Sequence, residues 1–329
     1  VRINRQNFDM KNERSNNIFL SDGKNAATSG KDLFGNPITE PVKQLKDWFV
    51  VPPFSILNSA SKEWQEKKKI WMLKINDKAQ ARSNKLRCYT DVGVDFMNIK
   101  GDITSILDPV LCEVLLSWFT EKQHVCFDPF AGDAVFGFVS AFKDRKFKGI
   151  ELRKEQVSFN QTLIDTHELN GEYYCDTSEN MDNYINDQSC DFIFSCPPYA
   201  DLEIYSDDPN DLSTMEYDDF FNVIGRILTN TYKKLKENRF ACIVIGEVRH
   251  KNTGEYIGLV PNVINIMRDA GYKYYNEMIL QTPIGNLHMR AGRYMNQNRK
   301  IGKMHQNVLV FYKGDIKQIK NNFKRLKDA

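Results

Sequence analysis

From Gly101 onward the chain alternates short apolar runs with longer amphipathic ones, and this alternation constrains the fold more than any other feature of the sequence. The periodicity predicts helices over 106–120, 134–142, 154–168, 217–236 and 260–270. It predicts strands over 124–130, 147–152, 173–175, 191–195, 239–245, 272–280 and 307–312. Such a succession folds into a mostly parallel sheet with helices on both faces and a ligand crevice at the carboxyl ends of the strands. A long loop, 283–306, and no helix joins the last two strands, which makes them an antiparallel pair closing the sheet. The expected class is α/β: a doubly wound, mostly parallel Rossmann-like sheet over 101–315 with an antiparallel terminal strand, plus a small N-terminal accessory segment over 46–100.

The rest of the chain has a different texture. Residues 1–45 are rich in Asn, Ser, Lys, Asp and Gly with few clustered hydrophobes, and read as a flexible polar arm. In the accessory segment, Trp48 to Phe54 is apolar and stiffened by Pro52 and Pro53. Residues 59–74 then show helical spacing, with Trp64, Ile70, Trp71 and Leu73 set among lysines. Lysines on such a face are ordinarily solvated, so packing against the main domain is the expected role. Residues 316–329 form a basic C-terminal tail.

Formal net charge is only +2, so a nucleic-acid partner would have to be gripped by a local basic patch. Seven cysteines with no Cys-x-x-Cys pair, and no histidine at zinc spacing, argue against a metal site or a disulfide framework. That usage suits a reducing cytoplasm. The apolar runs fall short of a membrane span and the N-terminus has no signal-peptide core, so the expectation is a soluble, cytoplasmic protein without a membrane partner.

Chemistry concentrates at the strand ends. Asp128-Pro129-Phe130-Ala131-Gly132 puts a carboxylate at the end of one strand and a glycine turn before the next helix, where Gly132 permits close backbone approach to a ligand. Glu151, followed by Leu152, ends the second strand twenty-three positions on, the spacing at which a carboxylate holds a ribose diol. Asp176, followed by Thr177, comes after the third. The absence of Gly-x-Gly-x-x-Gly counts against a dinucleotide. The fourth strand breaks into Ser195-Cys196-Pro197-Pro198-Tyr199. Two prolines there fix the backbone and remove two donors, leaving neighbouring carbonyls as acceptors, and Tyr199 offers a flat face to a base taken out of its helix.

With these motifs the chain, over roughly 100–315, resembles the amino-methyltransferases that act on DNA. The resemblance implies a methyltransferase domain with S-adenosylmethionine as cofactor. Asp128, Pro129, Phe130, Ala131 and Gly132 would cradle its methionine part, Glu151 with Leu152 its ribose, and Asp176 with Thr177 its adenine. It further implies a catalytic loop of Ser195, Cys196, Pro197, Pro198 and Tyr199 that orients an exocyclic amine. Two positions depart from the pattern: Ala134 stands where a second glycine is common, and Cys196 where Asp, Asn or Ser is usual. A thiol is a poor acceptor, so Ser195 or a backbone carbonyl would compensate. A thiolate could instead attack C6 of a pyrimidine, although enzymes of that kind have Cys after a single Pro. A small non-acidic residue before Pro-Pro-Tyr is nearer to the cytosine-N4 than to the adenine-N6 members. The segment from Trp48 to Lys69 resembles the region ahead of such domains in phage and mobile-element methylases.

DNA is the expected partner. Fewer than 70 residues separate the two motifs, so recognition falls to the N-terminal segment or to 283–306, where Arg290, Arg293, Arg299, Lys300 and Lys303 cluster with His and Asn. Arg and Asn suit phosphate contact and base readout. The same geometry would serve RNA or protein-amide methylation, and a catalytically silent nucleic-acid-binding module is the reading from outside enzymes.

Overall fold

The computed structural model describes residues 50–76, 106–200, 206 and 208–323. The arm over 1–45, the apolar pair Trp48 and Phe49, the 77–100 part of the accessory segment and the 324–329 part of the basic tail lie outside the described residues.

A short strand β1 (Ile56–Asn58) and a helix α1 (Lys62–Asn76) come first. The alternation then runs through α2 (Pro109–Phe119), β2 (Val125–Asp128), α3 (Val135–Phe142), β3 (Lys146–Glu151), α4 (Lys154–Thr166) and β4 (Gly171–Cys175). It continues through β5 (Cys190–Ser195), α5 (Tyr217–Lys234), β6 (Leu235–Ile245), α6 (Leu259–Asp269), β7 (Lys273–Gln281), α7 (Leu287–Asn298) and β8 (His305–Lys313). These strands form one sheet in the order β1-β7-β8-β6-β5-β2-β3-β4. Every neighbouring pair is parallel except that β8 runs antiparallel to both β6 and β7. The fold is therefore the mostly parallel, doubly wound α/β sheet with an antiparallel element.

From β2 the chain winds outward through β3 to β4, then returns to β5 on the other side of β2, so the strand order reverses between β2 and β5. A crevice opens at such a reversal, at the carboxyl ends of the strands. Cys126 lies beside Phe192 and Phe127 beside Ile193, which brings the Asp128 end of β2 level with the Ser195 end of β5. Strand β5 is buried along its whole length, as a central parallel strand must be. Its period of two splits the core. Phe192 and Phe194 meet Phe119 and Phe136 on one face, while Ile193 joins Phe220, Ile224, Val263 and Met267 on the other.

The first helix of the domain starts three residues later than its periodicity suggests. Asp108 accepts from the Val110 and Leu111 amides and Pro109 occupies the first turn, so the cap sets the boundary. A larger correction concerns 283–306, which is not a plain loop: α7 fills its middle. No residue of α7 is fully buried, and its apolar stripe is short: Leu287, Ala291 and Tyr294 alone are half-buried, set among exposed polar residues that read as loop.

The described part of the accessory segment is built into the same sheet. Strand β1 pairs in parallel with β7, so β7 is not an edge. On α1, Trp71 is fully buried, stands edge-on to Phe142 and donates from Nε1 to Glu113 Oε2 at 2.8 Å. The lysines of α1 are not all solvated. Lys67 bridges to Glu113 at 3.2 Å and Lys68 to Asp108 at 3.0 Å.

Candidate active site

A cavity of about 580 Å³ lies over the β2–β5 reversal, a size suited to a small-molecule ligand. The Asp128 to Gly132 turn forms its floor. Gly132 sits at φ +48°, a conformation that disfavours other residues, and Asn160 Nδ2 holds its carbonyl at 3.0 Å. The turn lies directly on β3: Ala131 donates to the Ile150 carbonyl at 2.9 Å, and a Cβ on Gly149 would come within 2.8 Å of the Ala131 Cβ. The Ser178 hydroxyl straps the Pro129 carbonyl from the β4 side.

Four carboxylates border this half of the cavity: Asp128, Asp133, Glu151 and Asp176. Asp128 is buried, which pushes its carboxyl up to about 7, although it accepts from Ser195 Oγ at 2.6 Å and from the Phe130 amide at 2.9 Å. Burial also raises Glu151, with the Arg153 guanidinium, 3.0 Å away, as the main opposing influence. At Asp176 burial is outweighed by hydrogen bonds from Asn180, Tyr184 and the Thr177 amide, which hold the acid below its ordinary range. A cation-favouring wall, a carboxylate for a diol and a glycine turn in close approach fit S-adenosylmethionine, whose sulfonium and ammonium are positive.

The Pro-Pro-Tyr loop after β5 opens into the other half. Cys196, Pro197, Pro198 and Tyr199 line the cavity; Ser195 does not. Its side chain is fully buried and its hydroxyl is committed to Asp128, so it cannot stand in for Cys196 as an acceptor facing the cleft. Cys196 Sγ lies 3.7 Å from Tyr199 Oη, and Gln306 Nε2 donates to the same Oη at 2.8 Å.

The basic residues grouped by sequence divide into two sets. Arg290 and Arg293 lie on the exposed helix α7, with Arg299 and Lys300 just beyond it. Arg290 receives support from Asn286 at 2.7 Å, and the Arg293 guanidinium lies 5.6 Å from the Tyr294 ring. Lys303 turns the other way and lines the cavity. Residues that sequence reasoning missed also border it, among them Ser59, Lys68, Asp108, Asp133, Glu247 and Gln306. Only Asp108 had a local signal, an Asp-Pro step opening an apolar helix. Among the described residues no helix is long and apolar enough to cross a membrane.

Residues 190–329 match the N6_N4_Mtase family, described as DNA methylase. No curated protein matches the chain. Similar solved structures include TrmN from Thermus thermophilus, at 12% identity and a TM-score of 0.43 over 63% of this chain and 49% of that one. This chain thus spans about half the length of TrmN. A methyltransferase from Pyrococcus furiosus is 15% identical, with a TM-score of 0.43 over 76% of this chain and 100% of that one. An S-adenosylmethionine-dependent methyltransferase from Methanosarcina mazei is 12% identical, with a TM-score of 0.41 over 61% and 97%.

Proposed function

We infer that this chain, whose residues 190–329 match a DNA methylase, transfers a methyl group from S-adenosylmethionine to an exocyclic amine of a DNA base. One observation carries the reading: the bond from Ser195 to Asp128 locks the start of the Pro-Pro-Tyr loop beside the glycine turn, so both open into one cavity. When bound, S-adenosylmethionine supplies an electrophilic methyl group on a positive sulfonium. In this reading the Asp128 to Gly132 turn holds its methionine part, Glu151 accepts from the ribose diol, and Leu152, Asp176 and Thr177 border its adenine. Tyr199 stacks on a base that has left its helix. Carbonyls beside Pro197 and Pro198 accept from the target amine and orient its lone pair, so that catalysis is chiefly positioning and electrostatics. Cys196 lines the pocket and forms no covalent bond to the base. Cytosine N4 is favoured over adenine N6, because the residue before Pro-Pro-Tyr is small and non-acidic.

Mass spectrometry of digested product DNA tests this, with N4-methylcytosine or N6-methyladenine expected. Cys196→Ser should equal or exceed the parent enzyme, since serine is the better acceptor. Formation of 5-methylcytosine together with a dead Cys196→Ser variant would instead make Cys196 a nucleophile. Methyl transfer to RNA or peptide but not to DNA would move the substrate class.

The exposed basic helix α7 is the proposed duplex contact. Neutralising Arg290, Arg293 and Arg299 together should weaken DNA binding and flatten its salt dependence, by a slope of about 1 for each lost phosphate contact. An identical slope in the triple variant would put the grip elsewhere.

A further inference from the structure

Lys303 lines the cavity, apart from Arg290 and Arg293 on the exposed helix. Its partner in the cavity wall is the loop after β6, because Ile245 at the end of β6 pairs with Asn307 on β8, which brings Gly246 and Glu247 beside the residues preceding β8. Lys303 Nζ donates to the Glu247 carbonyl at 3.3 Å. A Cβ on Gly246 would lie 3.1 Å from that Nζ and 3.4 Å from Tyr199 Cε2, so the missing side chain makes room for the ammonium and the tyrosine ring side by side. Gln306 fixes the far end of the same ring through its hydroxyl. An ammonium has three donors, and among the described residues the Glu247 carbonyl takes one and no carboxylate lies within 4 Å. Burial lowers the affinity of Lys303 for its proton, as expected for a charge withdrawn from water, and the nearby charge of Glu247 partly restores it.

We propose that Lys303 is a specificity-determining residue: inside the cleft, it donates a hydrogen bond to the ring nitrogen next to the amine being methylated. This rests on the methylation of a base amine inferred above. Both candidate bases share the necessary chemistry. In cytosine the ring nitrogen N3, and in adenine N1, is a bare acceptor beside the amino carbon, released when the base leaves its pair and readable on its Watson–Crick edge. In thymine and guanine the corresponding ring nitrogen carries hydrogen and sits beside a carbonyl, so an ammonium there would face a donor. A buried donor opposite a donor is costly, and the arrangement therefore selects amino bases over oxo bases.

The test crosses a protein change with a base change. Duplex DNA is prepared with the natural target base or with its deaza analogue, in which that ring nitrogen is replaced by CH. kcat/KM is then measured for the parent enzyme and for Lys303→Met on both substrates. Each single change should lower kcat/KM by roughly ten- to a hundredfold, the scale of a hydrogen bond to a charged donor, and the two together should cost little more than either alone. Multiplying losses would overturn the assignment, as would a DNA-binding salt slope that falls by about 1 in Lys303→Met, the mark of a phosphate contact. Should the variant fold poorly, the parent enzyme decides alone: indifference to the ring nitrogen overturns the proposal. A parent enzyme that methylates RNA or peptide but no DNA would overturn the functional reading itself, and Lys303's role with it.

Discussion

Replacing Asp128 by Asn is expected to flatten the pH dependence of stability and to make the ligand-free protein more stable than its parent at pH 8. Burial raises the Asp128 carboxyl to about 7, whereas in an unfolded chain the group ionises near 3.9. Between those values the folded state holds more protons than the unfolded one, so stability falls as pH rises. The advantage of the neutral acid is complete below about pH 4 and is lost as pH climbs through about 7. At about 1.4 kcal/mol per unit, the difference is on the order of 4 kcal/mol. Glu151, also raised by burial, acts in the same sense. The amide of Asn keeps an oxygen for Ser195 and for the Phe130 amide but cannot ionise, so urea midpoints from pH 4 to pH 8 should show a shallower fall in the variant. An unchanged slope would assign the dependence to other groups. Binding of a cationic methyl donor beside Asp128 should favour its ionised form. Calorimetric heats near pH 7 should therefore vary with the ionisation enthalpy of the buffer in the parent protein, and less so in Asp128→Asn.

Trp71→Ala should cost about 3–5 kcal/mol of stability, the range for removing a large buried aromatic side chain. Trp71 is fully buried between the accessory segment and the main domain, against Phe142, with its indole N–H on Glu113. Glu113 keeps Lys67 and Lys143, so the charge is not stranded and the loss reports mainly on packing. Trp71→Phe should recover most of it, since the ring volume is largely restored. Midpoints in guanidinium measure both. A loss below about 1 kcal/mol for Trp71→Ala, the scale of an ordinary point change, would mean that α1 is an appendage and not part of the core.

The sequence alone determined the alternation of strands and helices, and with it the mostly parallel sheet and a crevice at the carboxyl ends of its strands. The strand order, and so the reversal between β2 and β5, came from the tertiary structure. The sequence also placed Asp128, Glu151 and Asp176 at three successive strand ends and the Pro-Pro-Tyr loop at a fourth. These features were legible because burial period and turn chemistry are local: Phe192, Ile193 and Phe194 alternate between two core faces over three residues, and Gly132 marks its own turn. Only the tertiary structure decided the rest. Strand β1 is three residues long and pairs with β7 more than 200 positions away, so no local pattern announces it. Helix α7 buries no residue fully and half-buries only Leu287, Ala291 and Tyr294, a stripe too short to stand out among its polar neighbours. Ser195 and Lys303 looked like a compensating acceptor and a phosphate contact from their neighbours in the chain. The pairing of β2 with β5 turns Ser195 inward to Asp128, and the pairing of β6 with β8 carries Lys303 into the cleft. Side-chain direction at the end of a strand depends on its neighbours in the sheet, and those are fixed by long-range register.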